Sequence, residues 1–234
     1  MLCIETKSLF KKYNSINAVD GIDLNIESGQ VFGFLGPNGA GKSTVIKLLT
    51  TLIQPTKGQV SVLGINTNKN PLEIRKKIGV ILQQPSYEPT LSVEKSLEKY
   101  GMMWDIDAKT RKKRTEELLT SFELQDIRKK KTEDLSIGLR RRVQVAREFM
   151  HDMDLLFLDE PTVGLDPSAR RKLLDFLKNK VKETGLTIFY TTHVLTEAEY
   201  LCDNIAIINK GKIITVASPK ELKKRFGHEK TIQI

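Results

Sequence analysis

The chain of 234 residues has little cysteine, few aromatic residues and no long apolar run. Its two cysteines, Cys3 and Cys202, are too few for a disulfide framework and form no CxxC pair, so we expect reduced, packed thiols. No stretch approaches the roughly 20 apolar residues that span a bilayer, and the N-terminus lacks the apolar core of a secretion signal. The sequence therefore predicts a protein that stays in the cytosol.

Positive charge is in excess, because 38 lysine and arginine residues face 29 acidic residues and give a formal net charge of +9. The excess is concentrated at residues 109–114, 128–131 and 140–142. Such runs suit nucleic acid, an anionic membrane surface or an acidic partner, and they are also common on solvated helix faces. Charge alone leaves these alternatives open.

Strand and helix patterns alternate along most of the chain. Alternating or continuous apolar segments predict strands at 21–26, 31–35, 58–64, 78–82, 154–159 and 187–193, and a hairpin that turns at 209–212. A helix is predicted from Lys42 to about Leu52, and another begins after Asp166 and ends at Gly185. Residues 218–221, SPKE, form a capping box before a last helix. The pattern predicts an α/β fold with a mostly parallel sheet and a small N-terminal antiparallel β-subdomain.

Residues 85–153 differ from the rest in being charged, helical in pattern and poor in β-branched runs. We interpret them as an α-helical subdomain inserted into a core made of residues 1–84 and 154–234. The sequence thus predicts a single domain over residues 1–234.

The segment GPNGAGKST matches the phosphate-loop pattern G-x-x-x-x-G-K-[ST], between an apolar strand and a helix. Glycines allow the backbone to approach phosphates closely, and the N–H groups at the start of the helix face the anion. This context predicts a nucleoside triphosphate site and a P-loop NTPase core. The predicted binding residues are Gly36, Pro37, Asn38, Gly39, Ala40, Gly41, Lys42, Ser43 and Thr44.

Three side chains of this loop have distinct predicted roles. Lys42 supplies a positive charge for the β- and γ-phosphates. The Ser43 hydroxyl suits a Mg²⁺ ion that keeps most of its waters, and Thr44 is placed to hydrogen-bond a phosphate oxygen.

Two carboxylates end the apolar strand LLFLDEP. In open α/β sheets, ligands lie at the carboxyl ends of the strands, which is where Asp159 and Glu160 fall. We predict that Asp159 holds Mg²⁺ and that Glu160 orients and activates the attacking water.

Together with the phosphate loop, the segments LLFLDEPTVGLDP and TTHVLTEAEYLCDNIAIINKGKI resemble the ATP-binding subunit of an ABC transporter. The resemblance covers residues 9–224 and implies a P-loop ATPase that uses ATP and Mg²⁺. The segments IGVILQQPSYEPTLSVEKSL and LSIGLRRRV are most similar to the daunorubicin-resistance type of exporter, although the longer C-terminal extension of many such relatives is absent.

The resemblance assigns roles to residues outside the two phosphate-binding motifs. Tyr13 stands where the family stacks an aromatic ring on adenine, and a sheet-edge tyrosine is the alternative interpretation. Gln83, rather than the adjacent Gln84, closes its strand and matches the glutamine that touches Mg²⁺ and water. His193 matches the histidine that contacts the γ-phosphate, and Asp166 matches an aspartate that contacts the opposite subunit. His151 and His228 have no such setting and are interpreted as structural.

The family's signature segment, L-S-G-G-Q, is Leu135 to Leu139 here, and Ile137 replaces its first glycine. Ser136 and Gly138 are the positions that the resemblance places against the γ-phosphate of the opposite ATP. If this position needed a positive φ or a very close approach to ATP, Ile137 would cost about 1–3 kcal/mol of strain or block closure. In an ordinary helical conformation the change would be mostly steric. Leu139, Val143, Ala146 and Met150 predict the apolar face of the following helix, with residues 140–142 mostly outside it.

The family pattern implies ATP-driven dimerisation of two such subunits, identical or different, coupled to a separate multi-span membrane permease. It predicts an ATPase at the cytoplasmic face of the membrane, with the region from Gln83 to Trp104 as the docking surface. Met102, Met103 and Trp104 would contribute to docking or to a helix core.

The alternative function is a soluble ABC-type ATPase that acts on ribosomes or nucleic acid. The sequence has one cassette and no coiled-coil arm, which favours transport, so no nucleic acid partner is expected. The sequence identifies neither the substrate nor, beyond the subgroup resemblance, the direction of transport.

Overall fold

A computed structural model describes residues 1–84 and 86–226, which form two compact units. The first unit comprises Met1–Val80, Met153–Glu160 and the described chain from Lys178 to Phe226. The second unit comprises Ile81–Asp152 and Pro161–Leu177. The division therefore falls near the predicted limits of the helical insertion, but the second unit also takes up residues 161–177.

Two sheets are present among the described residues. The strands are β1 (Leu2–Tyr13), β2 (Ile16–Glu27), β3 (Val31–Leu35), β4 (Lys57–Val62), β5 (Ile65–Asn66), β6 (Ile78–Ile81), β7 (Leu155–Asp159), β8 (Thr187–Thr192), β9 (Asn204–Asn209) and β10 (Lys212–Ala217). The smaller sheet has the order β2-β1-β4-β5 and its pairs are antiparallel. The larger sheet has the order β10-β9-β3-β8-β7-β6. Both the N-terminal antiparallel sheet and the mostly parallel core are confirmed.

The centre of the larger sheet is buried on both faces. Every residue of β3, β7 and β8 is buried, which is typical of parallel strands covered on both sides. The rings of Phe32, Phe34 and Phe157 lie 6.1, 5.4 and 5.7 Å from that of Phe189. This packing fixes the central strands, so the loops that leave their carboxyl ends start from a rigid support.

Eight α-helices occur in the described chain: α1 (Lys42–Leu49), α2 (Pro71–Arg75), α3 (Val93–Met103), α4 (Ala108–Ser121), α5 (Ile137–Glu148), α6 (Pro167–Thr184), α7 (Leu195–Leu201) and α8 (Pro219–Phe226). α1 ends earlier than predicted, because Thr51 has a left-handed backbone with φ 62°. The predicted cap of α6 is confirmed, since the Ala169 N–H donates to Asp166 Oδ1 at 2.9 Å. The capping box of α8 is confirmed by Ser218 and Glu221, whose backbone N–H groups each donate to the other's side chain, at 2.9 and 3.3 Å.

The second unit packs α3, α4 and α5 around an apolar centre that includes Leu97, Leu119 and Val143. The Tyr100 hydroxyl donates to the buried Glu148 carboxylate at 2.9 Å. Burial and this negative charge raise the pKa of the Tyr100 hydroxyl above its ordinary value.

Helix α7 is fixed to the end of β8 by Glu197, whose side chain is 3% exposed. Glu197 Oε2 accepts hydrogen bonds from the Tyr190 hydroxyl at 2.8 Å and from Thr192 Oγ1 at 3.0 Å. These bonds hold the strand immediately before His193.

We predict that Glu197→Ala lowers the free energy of unfolding by about 2–3 kcal/mol, because two buried hydroxyls lose a charged acceptor. Urea denaturation measures the effect. The control is Glu199→Ala on the same helix, which removes only a partly exposed ion pair with Lys223 and should cost less than about 1 kcal/mol. Equal losses in the two variants would show that Glu197 does not stabilise the end of β8.

Candidate functional site

Three adjacent strands of the larger sheet bring the predicted site residues of the first unit, apart from Tyr13, to one edge of that sheet. β8 lies between β3 and β7 and is parallel to both. The register places Leu35 beside Thr192 and Asp159 beside Thr191. Because all three strands end at the same level, the phosphate loop, the two acids and His193 meet there.

The phosphate loop passes so close to two backbone oxygens that there is no room for a side chain at Gly36 or Gly41. A Cβ on Gly36 would lie 2.3 Å from the Ile208 carbonyl oxygen. Gly41 has φ +110°, and a Cβ there would lie 2.4 Å from the Ala18 carbonyl oxygen. Glycine is therefore required at both positions for steric reasons, and at Gly41 also for conformational ones.

Gly41 is the N-cap of α1 and contributes no capping side chain, so the first N–H groups of the helix are left for an anion. Ser43 and Thr44, in the first turn, are partly exposed. Lys47 in the last turn complements the helix dipole. The local backbone thus forms an electropositive cradle of the kind that binds phosphate groups.

Lys42 is buried, with its side chain 5% exposed, and its ammonium lies at the centre of the site. It donates to the carbonyl oxygens of Gly36 at 2.7 Å and Pro37 at 3.2 Å. It also lies 3.1 Å from Glu160 Oε1. The lysine therefore ties the loop after β3 to the acid after β7.

Glu160 is held between two basic groups. Its other carboxylate oxygen, Oε2, lies 3.2 Å from His193 Nδ1. The Glu160 backbone is left-handed, with φ 48°, and its N–H donates to the Thr191 carbonyl at 3.2 Å. Such a conformation is uncommon outside glycine and costs about 1–2 kcal/mol. The sharp turn directly after the strand is what brings the Glu160 carboxylate towards Lys42 and His193.

Asp159 occupies a different environment from its neighbour. It is 2% exposed, and its Oδ1 accepts a hydrogen bond from Thr191 Oγ1 at 2.6 Å. Thr191 therefore fixes the orientation of one of the predicted metal ligands. Sequence reasoning did not identify Thr191, because nothing in TTH distinguishes a threonine that supports a carboxylate from any other buried strand residue.

Tyr13 lies at the end of β1 in the first unit and is 46% exposed. The Lys11 ammonium lies 5.3 Å from the centre of its ring. A partly exposed ring at a sheet edge fits both interpretations of this tyrosine, and adenine stacking stays a prediction.

The remaining predicted site residues belong to the second unit, where Gln83 and Ser136 are exposed. Ser136 is the N-cap of α5, and its Oγ accepts from the Leu139 N–H at 3.3 Å. Gly138 packs against the loop that follows Glu160. A Cβ placed on Gly138 would lie only 2.8 Å from the Gly164 carbonyl oxygen. The signature segment and this loop are therefore in direct contact within one chain.

Ile137 is the first residue of α5 and has no positive φ. Its side chain is 65% exposed, and its Cγ2 would lie 2.9 Å from a Cβ placed on Gly164. A positive φ at Ile137 is therefore excluded, and the change from the family's glycine is steric.

Asp166 acts as the N-cap of α6 and lies 3.8 Å from Arg142. The hydrogen bond from the Ala169 N–H, followed by the nearby Arg142 charge, lowers the pKa of the Asp166 carboxyl. Its predicted contact with an opposite subunit stays a prediction.

Several other predictions are resolved by the structure. Arg141, expected outside the apolar face of α5, is 2% exposed, because backbone carbonyls of a neighbouring segment accept its hydrogen bonds.

Met102 and Met103 are 53% and 67% exposed, which excludes a helix-core role. His151 is buried and stacks on Trp104 with ring centroids 3.9 Å apart, as a structural histidine would, whereas His228 lies outside the described residues. Both cysteines are buried and free, as predicted.

Comparison with known proteins identifies the class to which this fold and site belong. The model of the ABC transporter family matches residues 19–163, so the chain belongs to that family. It is an ATP-binding subunit of the family, with ATPase activity. Among the described residues, no helix is both long and apolar enough to cross a membrane.

Relatives and solved structures agree with this assignment. The chain is 36% identical over 99% of its length to the linearmycin resistance ATP-binding protein LnrL of Bacillus subtilis, covering 74% of it. It is 41% identical over 96% of its length to the daunorubicin/doxorubicin resistance ATP-binding protein DrrA of Streptomyces peucetius, covering 68% of it. The dimeric post-hydrolysis ATP-binding cassette MJ0796 with ADP and Pi superimposes with a TM-score of 0.86 at 28% identity, over 92% of this chain and 98% of that one. These findings support a transporter subunit and give no support to the ribosome or nucleic acid alternative.

The contacts of the signature segment predict different effects at its two central residues. Ile137→Gly should change ATP turnover by less than about twofold, because the backbone there is already helical and the side chain is exposed. Gly138→Ala should lower turnover by about tenfold or more, because the new methyl group displaces the loop at Gly164. Phosphate release with Mg²⁺ and ATP measures both.

A large rise in turnover on Ile137→Gly would instead show that the isoleucine impairs the site. Circular dichroism of both variants serves as the control that α5 is intact.

Proposed function

We propose that this chain binds and hydrolyses ATP to energise an exporter, acting through a separate membrane permease. The observation that carries the proposal is the Glu160 carboxylate held between Lys42 and His193 at the end of the phosphate-loop strands. The names of relatives support export, since they describe linearmycin resistance, daunorubicin/doxorubicin resistance and bacitracin transport. Coupling to a permease places the chain at the cytoplasmic face of the membrane.

The geometry suggests which residues of the first unit bind the phosphates and which take part in hydrolysis. The loop from Gly36 to Thr44 binds the β- and γ-phosphates through backbone N–H groups and Lys42. The phosphates compete with Glu160 for the Lys42 ammonium. Glu160 accepts a proton from the attacking water, and His193 donates to the γ-phosphate oxygens as negative charge spreads over them.

Mg²⁺ is the metal that the oxygen donors of the site fit. Asp159 presents a buried carboxylate that Thr191 holds in one orientation, and Ser43 presents a hydroxyl in the first turn of α1. A carboxylate, a hydroxyl and phosphate oxygens are the ligands that this ion prefers, with waters completing the shell. When bound, Mg²⁺ neutralises charge on the phosphoryl oxygens. Gln83 is the further residue proposed to touch it.

A complete catalytic site requires a second ATP-binding subunit. Ser136 and Gly138 lie at the N-terminus of α5, which suits them to an anion bound by the opposite subunit. Asp166 lies at the start of α6, in the loop that contacts the signature segment. The dimeric cassette structures support this arrangement. ATP drives closure because it binds the closed pair better than the open pair.

The permease is proposed to dock on the second unit between Gln83 and Trp104. Met102 and Met103 offer exposed, flexible apolar side chains there, at the end of α3. A solved structure supports this kind of assembly, since the similar protein CbiO1 of Clostridium perfringens is described as part of a CbiONQ transporter complex.

We predict that Glu160→Gln retains ATP binding and lowers turnover by about a hundredfold or more, because the amide cannot accept the proton of the attacking water. Nucleotide affinity and phosphate release are measured on the same preparation. Glu199→Gln, on α7 and in an ion pair with Lys223, is the matched control and should retain full turnover. Undiminished phosphate release by Glu160→Gln would remove Glu160 from the base role.

Association with a permease is tested by purifying the chain from membranes in mild detergent. A multi-span membrane protein should accompany it, and Met102→Glu with Met103→Glu should weaken that association by placing charge in an apolar contact. The matched control is Ile214→Glu, at a residue of β10 that is 64% exposed. Recovery with ribosomes or nucleic acid instead would contradict transport.

A further inference from the structure

Helix α5 carries an arginine that hydrogen-bonds to the backbone of the segment following β6. Arg141 is 2% exposed, and its Nη1 donates to the Leu82 carbonyl at 2.9 Å. Its Nη2 donates to the carbonyl of Gln83. The same guanidinium also donates to Gln144 Oε1 at 2.9 Å, one turn further along α5. Two consecutive peptide carbonyls are thus held by one buried group.

Two further arginines of α5 hold the continuation of this segment. Arg140 Nη1 donates to the Tyr87 hydroxyl at 2.9 Å, and its guanidinium lies 4.8 Å from the centre of that ring. Arg147 Nη2 donates to Ser86 Oγ at 2.7 Å. The helix therefore contacts the segment on both sides of Pro85.

The chemistry of arginine explains why this contact positions the chain. A guanidinium is planar and always charged. When its two Nη groups, the arginine fork, donate to two carbonyls, they fix both the spacing and the orientation of those carbonyls. A buried charge is also costly unless its donors are satisfied, which favours one arrangement of Leu82 and Gln83 over others. Because the Gln83 side chain is exposed, its backbone anchor determines where the side chain starts.

The same helix carries the signature residues at its N-terminus. Arg141 lies in the second turn of α5, on the order of 7 Å along the axis from Ser136. A helix of this length moves as a rigid piece over its first turns. A displacement of Ser136 and Gly138 would therefore move Arg141 and, through its hydrogen bonds, the backbone of Gln83.

We infer that Arg141 is a positioning residue that couples the location of Gln83 to the signature end of α5. This inference rests on the proposed function, which assigns Gln83 to the metal and water and Ser136 to the opposite ATP. It gives the arginine run of the signature segment a specific role: Arg141 faces inward, where the positive charge meets backbone carbonyls instead of solvent.

A nitroxide label on Gln83→Cys tests the coupling. The native Cys3 and Cys202 are buried, and burial raises the pKa of both thiols, so they resist labelling. Arg141→Gln should increase the mobility of the label. Arg141→Lys, which keeps the charge but loses the fork, should give an intermediate spectrum and preserve folding if the glutamine variant does not.

Two controls separate positioning from general loosening of the unit. A label on Lys113→Cys, on an exposed side chain of α4, should keep its mobility in both Arg141 variants. Arg171→Gln, at an exposed arginine of α6, should leave the Gln83 label unchanged. Unchanged mobility at Gln83 in Arg141→Lys, or an equal change at Lys113, overturns the proposal.

The functional readout uses unlabelled protein with Gln83 intact. Arg141→Gln should lower kcat by roughly 10-fold to 100-fold, the effect of a misplaced catalytic group, while nucleotide affinity stays within about twofold of wild type. A parallel loss of affinity and kcat would indicate a merely structural role. Failure of the proposed function is distinguishable, because then the wild-type chain itself would show no turnover that depends on Glu160.

Discussion

The contact between Lys42 and Glu160 is the interaction on which the arrangement of the site depends. Both side chains are almost fully buried, so each charge needs a partner to offset the loss of water. The lysine comes from the loop after β3 and the glutamate from the turn after β7, with β8 between them. The pair therefore requires the strand order of the sheet and the left-handed turn at Glu160. His193, at the end of the intervening strand, completes the group for the same topological reason.

Helix α5 has a comparable role in the second unit. Its first turn presents Ser136 and packs Gly138 against the loop at Gly164, and its second turn holds the backbone of Gln83 through Arg141. One short helix thus contacts two segments that the family pattern assigns to catalysis and to subunit contact. This arrangement explains how an isoleucine is accommodated in the signature: Ile137 lies on the exposed side of the helix start, where its backbone is ordinary.

The sequence predicted the fold better than the supporting contacts. Strands, hairpin and helix caps follow from local patterns, so the cap at Asp166 was predictable. The end of α1 was predicted too late, because the left-handed Thr51 carries no sequence signal. Arg141 was placed outside the apolar face of α5, since hydrophobic periodicity cannot foresee that backbone carbonyls will accept hydrogen bonds from a buried arginine. Thr191 was missed because its partner, Asp159, is on a neighbouring strand.

The phosphate loop, the acids that follow the apolar strand, the family and hence the chemistry all follow from the amino-acid sequence alone. These features are local: glycine at a crowded turn, charge at a helix start and carboxylates at a strand end depend on adjacent residues. The contacts between these groups follow from the folded chain instead: Glu160 with Lys42 and His193, Asp159 with Thr191, and Arg141 with Gln83. Those contacts join residues distant in the chain, and strand order, register and burial, which are properties of the whole packed core, bring them together.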